Sequence, residues 1–186
     1  MPANVLTSIV RLLVFRGGPQ DVPYAPRLVR WMVPAAALVG WLLFAQMLPP
    51  LAAAVVAVVN VLATILVAQG VLRARNLVAR TPQTIAALLG TGILLNLLMV
   101  YPLSLLAPYV AKLAEHPEAF AHGDVKLPGG PVLVVDFLNV WGFAVTAWIY
   151  RHAANVRLIG GIGFALLASI VVLMLMMLVA AFISAA

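Results

Sequence analysis

The stretch PVLVVDFLNVWGFAVTAWIY, residues 131–150, places one carboxylate, Asp136, inside an otherwise apolar run. A charge held away from water is expensive, so an ionisable side chain in such a segment is a candidate for handling a proton or an ion. Asn139, Phe143, Thr146 and Tyr150 follow at helical spacing and share a stripe with it. A second stripe of small and polar residues, Ala53, Ala57, Asn60 and Thr64, runs through the apolar segment 51–72. Gly92 and Asn96 repeat the pattern in segment 84–109. Asn60, Asn96 and Asn139 fall near the middle of their segments, so one polar cluster joining three helices is expected. Amides placed this way either tie helices together by hydrogen bonds or serve a solute. Asp136 has no basic residue at its depth. At 1.5 Å per residue it lies about 7 Å inside its helix, close enough to reach water.

The remaining chemistry is thinner. AKLAEHPEAFAHGDVKLPGG, residues 111–130, gathers Glu115, His116, Glu118, His122 and Asp124, types that bind zinc. Their spacing lacks the HExxH arrangement that sets two histidines and a carboxylate on one helix face, and Pro117 interrupts such a helix. The segment is expected to be a solvated loop without a metal. No GxSxG, phosphate loop or GxGxxG occurs, and GGIG at 160–163 opens an apolar segment instead of following a strand. His152 alone near a helix end is too few for a two-histidine haem site. The chain has no cysteine, which excludes disulfides and thiolate metal sites. The expectation is a protein with no catalytic set and no cofactor.

The elements that must position these residues follow from composition. Of 186 residues, 65% are hydrophobic and 9% charged, and the mean hydropathy is +1.14. A soluble domain of this size has too few polar groups here to cover itself, so a membrane protein is expected. The formal charge of +6 does not point to nucleic acid, because the arginines sit in the breaks between apolar runs. About 20 apolar residues cross a bilayer. Five segments qualify, 31–48, 51–72, 84–109, 131–150 and 158–183. The expected fold is an all-α polytopic bundle, residues 31–186, with an outside loop at 111–130.

The breaks give a direction. Arg11, Arg16, Arg27 and Arg30 precede the first span, Arg73, Arg75 and Arg80 lie between the second and third, and Arg151 and Arg157 between the fourth and fifth. With five spans these fall on one side, which the positive-inside rule makes cytoplasmic. The C-terminus is then periplasmic. Trp31, Trp148 and Tyr150 at one level, with Tyr101 and Tyr109 at the other, suit the headgroup belts. Gly161, Ala165 and Ser169 on the fifth span, and Ala36 and Gly40 on the first, mark close helix contacts. The first positive charge, Arg11, stands inside the first apolar run, unlike a cleaved signal.

Residues 1–30 are expected to form a cytoplasmic interfacial unit. NVLTSIVRLLVF is too short to span, and Val5, Ile9, Leu12 and Leu13 share a face apart from Thr7, Ser8 and Arg11. An amphipathic helix over 4–15 lying in the interface is predicted. FRGGPQDVPYAP then acts as an elbow. Gly17 and Gly18 supply the dihedrals of a helix end, three prolines stiffen the connector, and Asp21 is in range of Arg16 or Arg27. An exposed, rigid and chemically distinctive segment also suits docking. Arg16, Pro19, Asp21, Pro23 and Tyr24 are the candidate docking residues.

The elbow, with the arginine-marked turns RARNLVAR and RHAANVR and the five-span order, resembles the Yip family of small membrane proteins, above all its short bacterial members. The resemblance implies a five-span fold and no defined activity. The long cytoplasmic region of eukaryotic members is missing from this sequence, so a Rab role is not implied. Two functions are expected from the residues. The first is a non-enzymatic protein of a bacterial inner membrane that organises or assembles a membrane complex, with a membrane-protein partner or a second copy of itself. The alternative is an oligomeric small transporter or channel using Asp136 and the asparagines.

Overall fold

The computed structural model describes residues 4–115 and 126–185, and every element in them is helical. A short helix α1, Val5–Leu13, is followed by a single 3-10 turn at Pro19–Asp21. Then come α2 (Pro26–Phe44), α3 (Pro50–Ala74), α4 (Thr81–Glu115), α5 (Gly129–Ala153) and α6 (Leu158–Ala185). Helices α2 to α6 are each long and apolar enough to cross a membrane, which makes this a multi-pass membrane protein. Residues 116–125, which carry His116, Glu118, His122 and Asp124, lie outside the described residues.

Prolines set the helix starts. α2 begins at Pro26, inside the segment read as elbow, and α3 begins at Pro50. Proline fits a first helical turn because the N–H it lacks has no partner there anyway. The α2–α3 hairpin is closed by the Trp41 indole, which donates to the Pro50 carbonyl at 3.0 Å. Gly40 lets the two helices approach, since a Cβ there would stand 3.3 Å from that of Ala57. The 35 residues of α4 extend about 52 Å, more than the ~30 Å hydrocarbon core requires.

Three helices end by the same device. Phe15, Asn76 and Asn155 have φ of 57°, 57° and 51°. The next residue in each case closes a bond back over five residues, Arg16 to Arg11 at 2.8 Å, Leu77 to Leu72 at 2.8 Å and Val156 to Arg151 at 3.0 Å. This is the Schellman ending, in which a left-handed residue caps the last carbonyls. Asparagine tolerates that conformation. Phenylalanine does not, and the sequence offered Gly17 and Gly18 two positions later. The turn falls on Phe15 because its ring is held between Trp141 and Trp148, with centroids 5.1 and 5.7 Å away. Aromatic pairs at this separation contribute about 0.5–1.5 kcal/mol each, enough to offset a strain of about 1–3 kcal/mol.

The five long helices form a ring in the order α2, α4, α5, α6, α3. All the arginine-rich breaks lie at one end of it, called the basic end below. There the Arg80 guanidinium donates to the carbonyls of His152 and Ala153 at 3.3 Å. α1 packs against α4 and α5, with Ile9 and Leu12 in the core. Ser8, expected on the polar face, is 1% exposed, and its hydroxyl donates to the Asp21 carbonyl at 2.8 Å. The outward face of α1 carries Leu6, Val10 and Val14 beside Thr7 and Arg11.

Candidate functional site

Two of the sequence-derived constellations meet different fates. The elbow is fastened to the bundle from inside. The Trp148 indole donates to the Gly17 carbonyl at 2.8 Å and the Trp141 indole to the Leu13 carbonyl at 3.0 Å. The Gln83 amide donates to Val22 at 2.9 Å and to Gln20 at 3.4 Å. The Asp21 carboxylate accepts the Gly18 N–H at 2.8 Å, so it turns into the elbow and not toward Arg16 or Arg27. Pro19 is buried. Of the five docking candidates, Pro19 and Asp21 therefore hold the elbow's shape, while Arg16, Pro23 and Tyr24 are exposed.

The asparagines come together around a cleft on the axis of α3, α4, α5 and α6. Its first lobe, about 250 Å³, is bounded by Asn60 and Thr64 of α3, Gly92 and Asn96 of α4, Thr146 and Tyr150 of α5, and Ser169 of α6. Its second lobe, about 270 Å³, shares Gly92, Asn96, Thr146 and Ser169 and adds Asn139. No charged side chain lines either lobe. The local reason for this lining is helical periodicity. The small and polar residues recur every three or four positions and so face one way. Counted from the basic end at 1.5 Å per residue, the polar lining runs from Tyr150, about 5 Å in, to Asn60 and Asn96, about 21–23 Å in.

The amides are not glue. Thr64 donates to the Asn60 carbonyl at 2.9 Å and Asn139 to the Val135 carbonyl at 3.0 Å, each within its own helix. Among the described residues, the side chains of Asn60, Asn96, Thr146, Tyr150 and Ser169 have no hydrogen-bond partner in the protein. None of them is sealed in, because the one fully enclosed, unpartnered polar atom among the described residues is Thr81 Oγ1. Tyr150 is 1% exposed overall. The cleft is thus a place where neutral donors and acceptors point at something other than protein.

Comparison of the chain with protein-family models, with curated proteins and with solved structures finds no match. The site therefore rests on its own geometry. Asp136 does not join it. That residue is exposed, beside exposed Leu133, Phe137 and Val140, and lines neither lobe. At 100° per residue it lies about 50° from the centre of the stripe formed by Asn139, Phe143, Thr146 and Tyr150, toward the outer face of α5. Sequence reasoning missed Ser169 as a lining residue, because its four-residue spacing from Ala165 and Gly161 marks a contact face equally well. It also missed the anchoring role of Trp141, which it did not single out, and of Trp148, which it placed only in an aromatic belt.

Proposed function

We propose that this is a non-enzymatic membrane protein that holds a small, uncharged, hydrogen-bonding molecule in the axial cleft and passes it toward the middle of the bilayer. The observation that carries the reading is the set of five unpartnered polar side chains facing one space. Asn60, Asn96 and Thr146 are half-buried and Ser169 is exposed, so these groups are open to water or to a solute, and a polar group in that position keeps its hydrogen bonds only if one of the two fills the cleft. The uncharged lining favours a neutral solute, since an ion would lose its hydration without a counter-charge. The polar lining stops near mid-depth, which is where transporters hold their substrates. Complete passage then needs a movement of the helices or a second copy. The arginine distribution supports a bacterial inner-membrane protein with its basic end cytoplasmic and its C-terminus periplasmic. The five-span order and the proline-rich elbow support a Yip-like assignment.

The test uses proteoliposomes and stopped-flow light scattering with glycerol and urea as probes. Wild-type vesicles are expected to equilibrate faster than empty ones. Gly92→Leu is expected to abolish the difference, because open space surrounds the Gly92 Cα and the new side chain fills the cleft. Asp136→Asn is expected to leave flux unchanged. Equal rates for wild-type and empty vesicles refute the reading.

A second reading, a protein that organises or assembles a membrane complex, is favoured by one observation. Tyr24 is 64% exposed on a segment clamped from within, so it is displayed without the entropy cost of ordering a loop. A partner recovered in fixed ratio in mild detergent, and lost with Tyr24→Ala, would support it. Retention of every partner by Tyr24→Ala refutes it.

A further inference from the structure

A second cleft, about 460 Å³, opens at the basic end, separate from the axial one. It lies between the elbow, the start of α4 and the α5–α6 turn. Arg80 and Arg151 border it together with His152, Gln20, Gln83 and Asn155, and no acidic side chain does. We propose that this cleft binds a phosphate group.

Four features converge on that ligand. First, Arg151 is preset. Its guanidinium lies over the Trp148 ring, 4.8 Å from the centroid, and the ring is itself fixed by its bond to Gly17. A stacked guanidinium keeps its edge N–H groups free for oxygen acceptors. Second, the negative end of α5 is cancelled. Arg80 occupies the last carbonyls of that helix through one nitrogen, Nη1, leaving its other N–H groups available. Third, Gln83 and Thr84 of the first turn of α4 border the same space, near the positive end of that 35-residue helix. Fourth, His152 commits Nδ1 to the Trp148 carbonyl at 2.9 Å. Nδ1 is then the donor, and Nε2, the acceptor of the neutral ring, can take the hydrogen of a singly protonated phosphate.

The shape also fits the end of a lipid. The cleft stands at the ends of membrane-spanning helices, where phosphates of a bilayer lie. Leu158 and Ile159, which open α6 beside it, are 48% and 81% exposed and offer apolar surface for acyl chains. The same donors would also take a soluble phosphate, so the experiment separates the two sources.

The full chain in dodecylmaltoside is titrated calorimetrically with dioctanoyl phosphatidic acid, with dioctanoylglycerol and with inorganic phosphate. The two lipids differ only in the phosphate. Binding of phosphatidic acid but not of dioctanoylglycerol is expected. If inorganic phosphate does not compete, the source is a lipid headgroup. If it binds or competes, the site takes soluble phosphate. Arg151→Gln is expected to weaken binding by roughly tenfold or more, the worth of one charge-assisted hydrogen bond. Asn155→Asp provides a variant whose folding is undisturbed, because aspartate tolerates the left-handed φ of 51° there, and its carboxylate should repel the ligand as strongly. The proposal is overturned if neither phosphate source binds, if dioctanoylglycerol binds as well as phosphatidic acid, or if both variants bind like wild type.

Discussion

Gly161 sits at a close crossing of α5 and α6, and replacing it by alanine tests the packing directly. A Cβ at this position would run into the Ala147 carbonyl oxygen and stand 2.9 Å from Arg151 Cβ and 3.0 Å from Arg151 N. Ordinary contact begins at 3.4 Å, so α5 and α6 must part by at least 0.5 Å, the difference between 3.4 and 2.9 Å. Two of the three obstacles are backbone atoms, which cannot rotate aside. Overpacking of this kind costs about 1–3 kcal/mol. Alanine recovers up to about 1 kcal/mol through its better helix propensity. The control lies two residues on. Gly163 has nothing within 4 Å of an added Cβ, so Gly163→Ala keeps only the gain. The two variants are therefore expected to differ in stability by about 1–3 kcal/mol, with Gly161→Ala the weaker. Unfolding in increasing mole fractions of dodecyl sulfate, followed by circular dichroism, measures the difference. If the two variants unfold together within about 0.5 kcal/mol, the close approach of α5 and α6 is wrong.

Three further outcomes follow from the contacts around α1 and α4. Trp148→Phe keeps the ring but removes the donor to Gly17, and a loss of about 1 kcal/mol is expected to open the elbow about fivefold more often. Trypsin cleavage after exposed Arg16 reads that opening, and an unchanged rate would count against the clamp. Gly90→Ala places a Cβ 3.0 Å from Ile9 Cγ1 and 3.2 Å from Met32 Cε, so amide exchange in α1 is expected to accelerate while α5 and α6 keep their protection. Thr81→Val removes an enclosed hydroxyl that has no partner and is expected to raise stability by about 1 kcal/mol in the same detergent titration, whereas destabilisation would mean that the hydroxyl has a partner.

The long helices and the cleft were legible in the sequence because both follow from local periodicity. Apolar runs of sufficient length mark the spans, and Asn60, Asn96, Thr146 and Asn139 recur at spacings that aim them at the bundle axis. What was not legible depends on pairs distant in sequence. Nothing in NVLTSIVRLLVF reveals that its polar Ser8 is sealed against Asp21, or that Leu13 and Gly17 meet two tryptophans more than 120 positions away. The helix ending at Phe15 breaks the local rule that favours glycine, because the tertiary contact with those rings outweighs it. Asp136 shows the opposite limit. Spacing of three and four keeps residues near one face, yet the drift of a straight helix carries the first member of a five-residue stripe toward its edge.

The seat of α1 also orders events at the ribosome. The indole that holds the Gly17 carbonyl lies 131 residues further along the chain. At about 5–20 residues per second, it is synthesised roughly 7–26 s after its acceptor. Throughout that interval the first helix has neither Trp141 nor Trp148 to close on, and until α4 is made its buried face must be sheltered by lipid or by the insertion machinery. Closure of the elbow is therefore a late event in biogenesis, and it registers that the fourth long helix has been inserted in the correct direction.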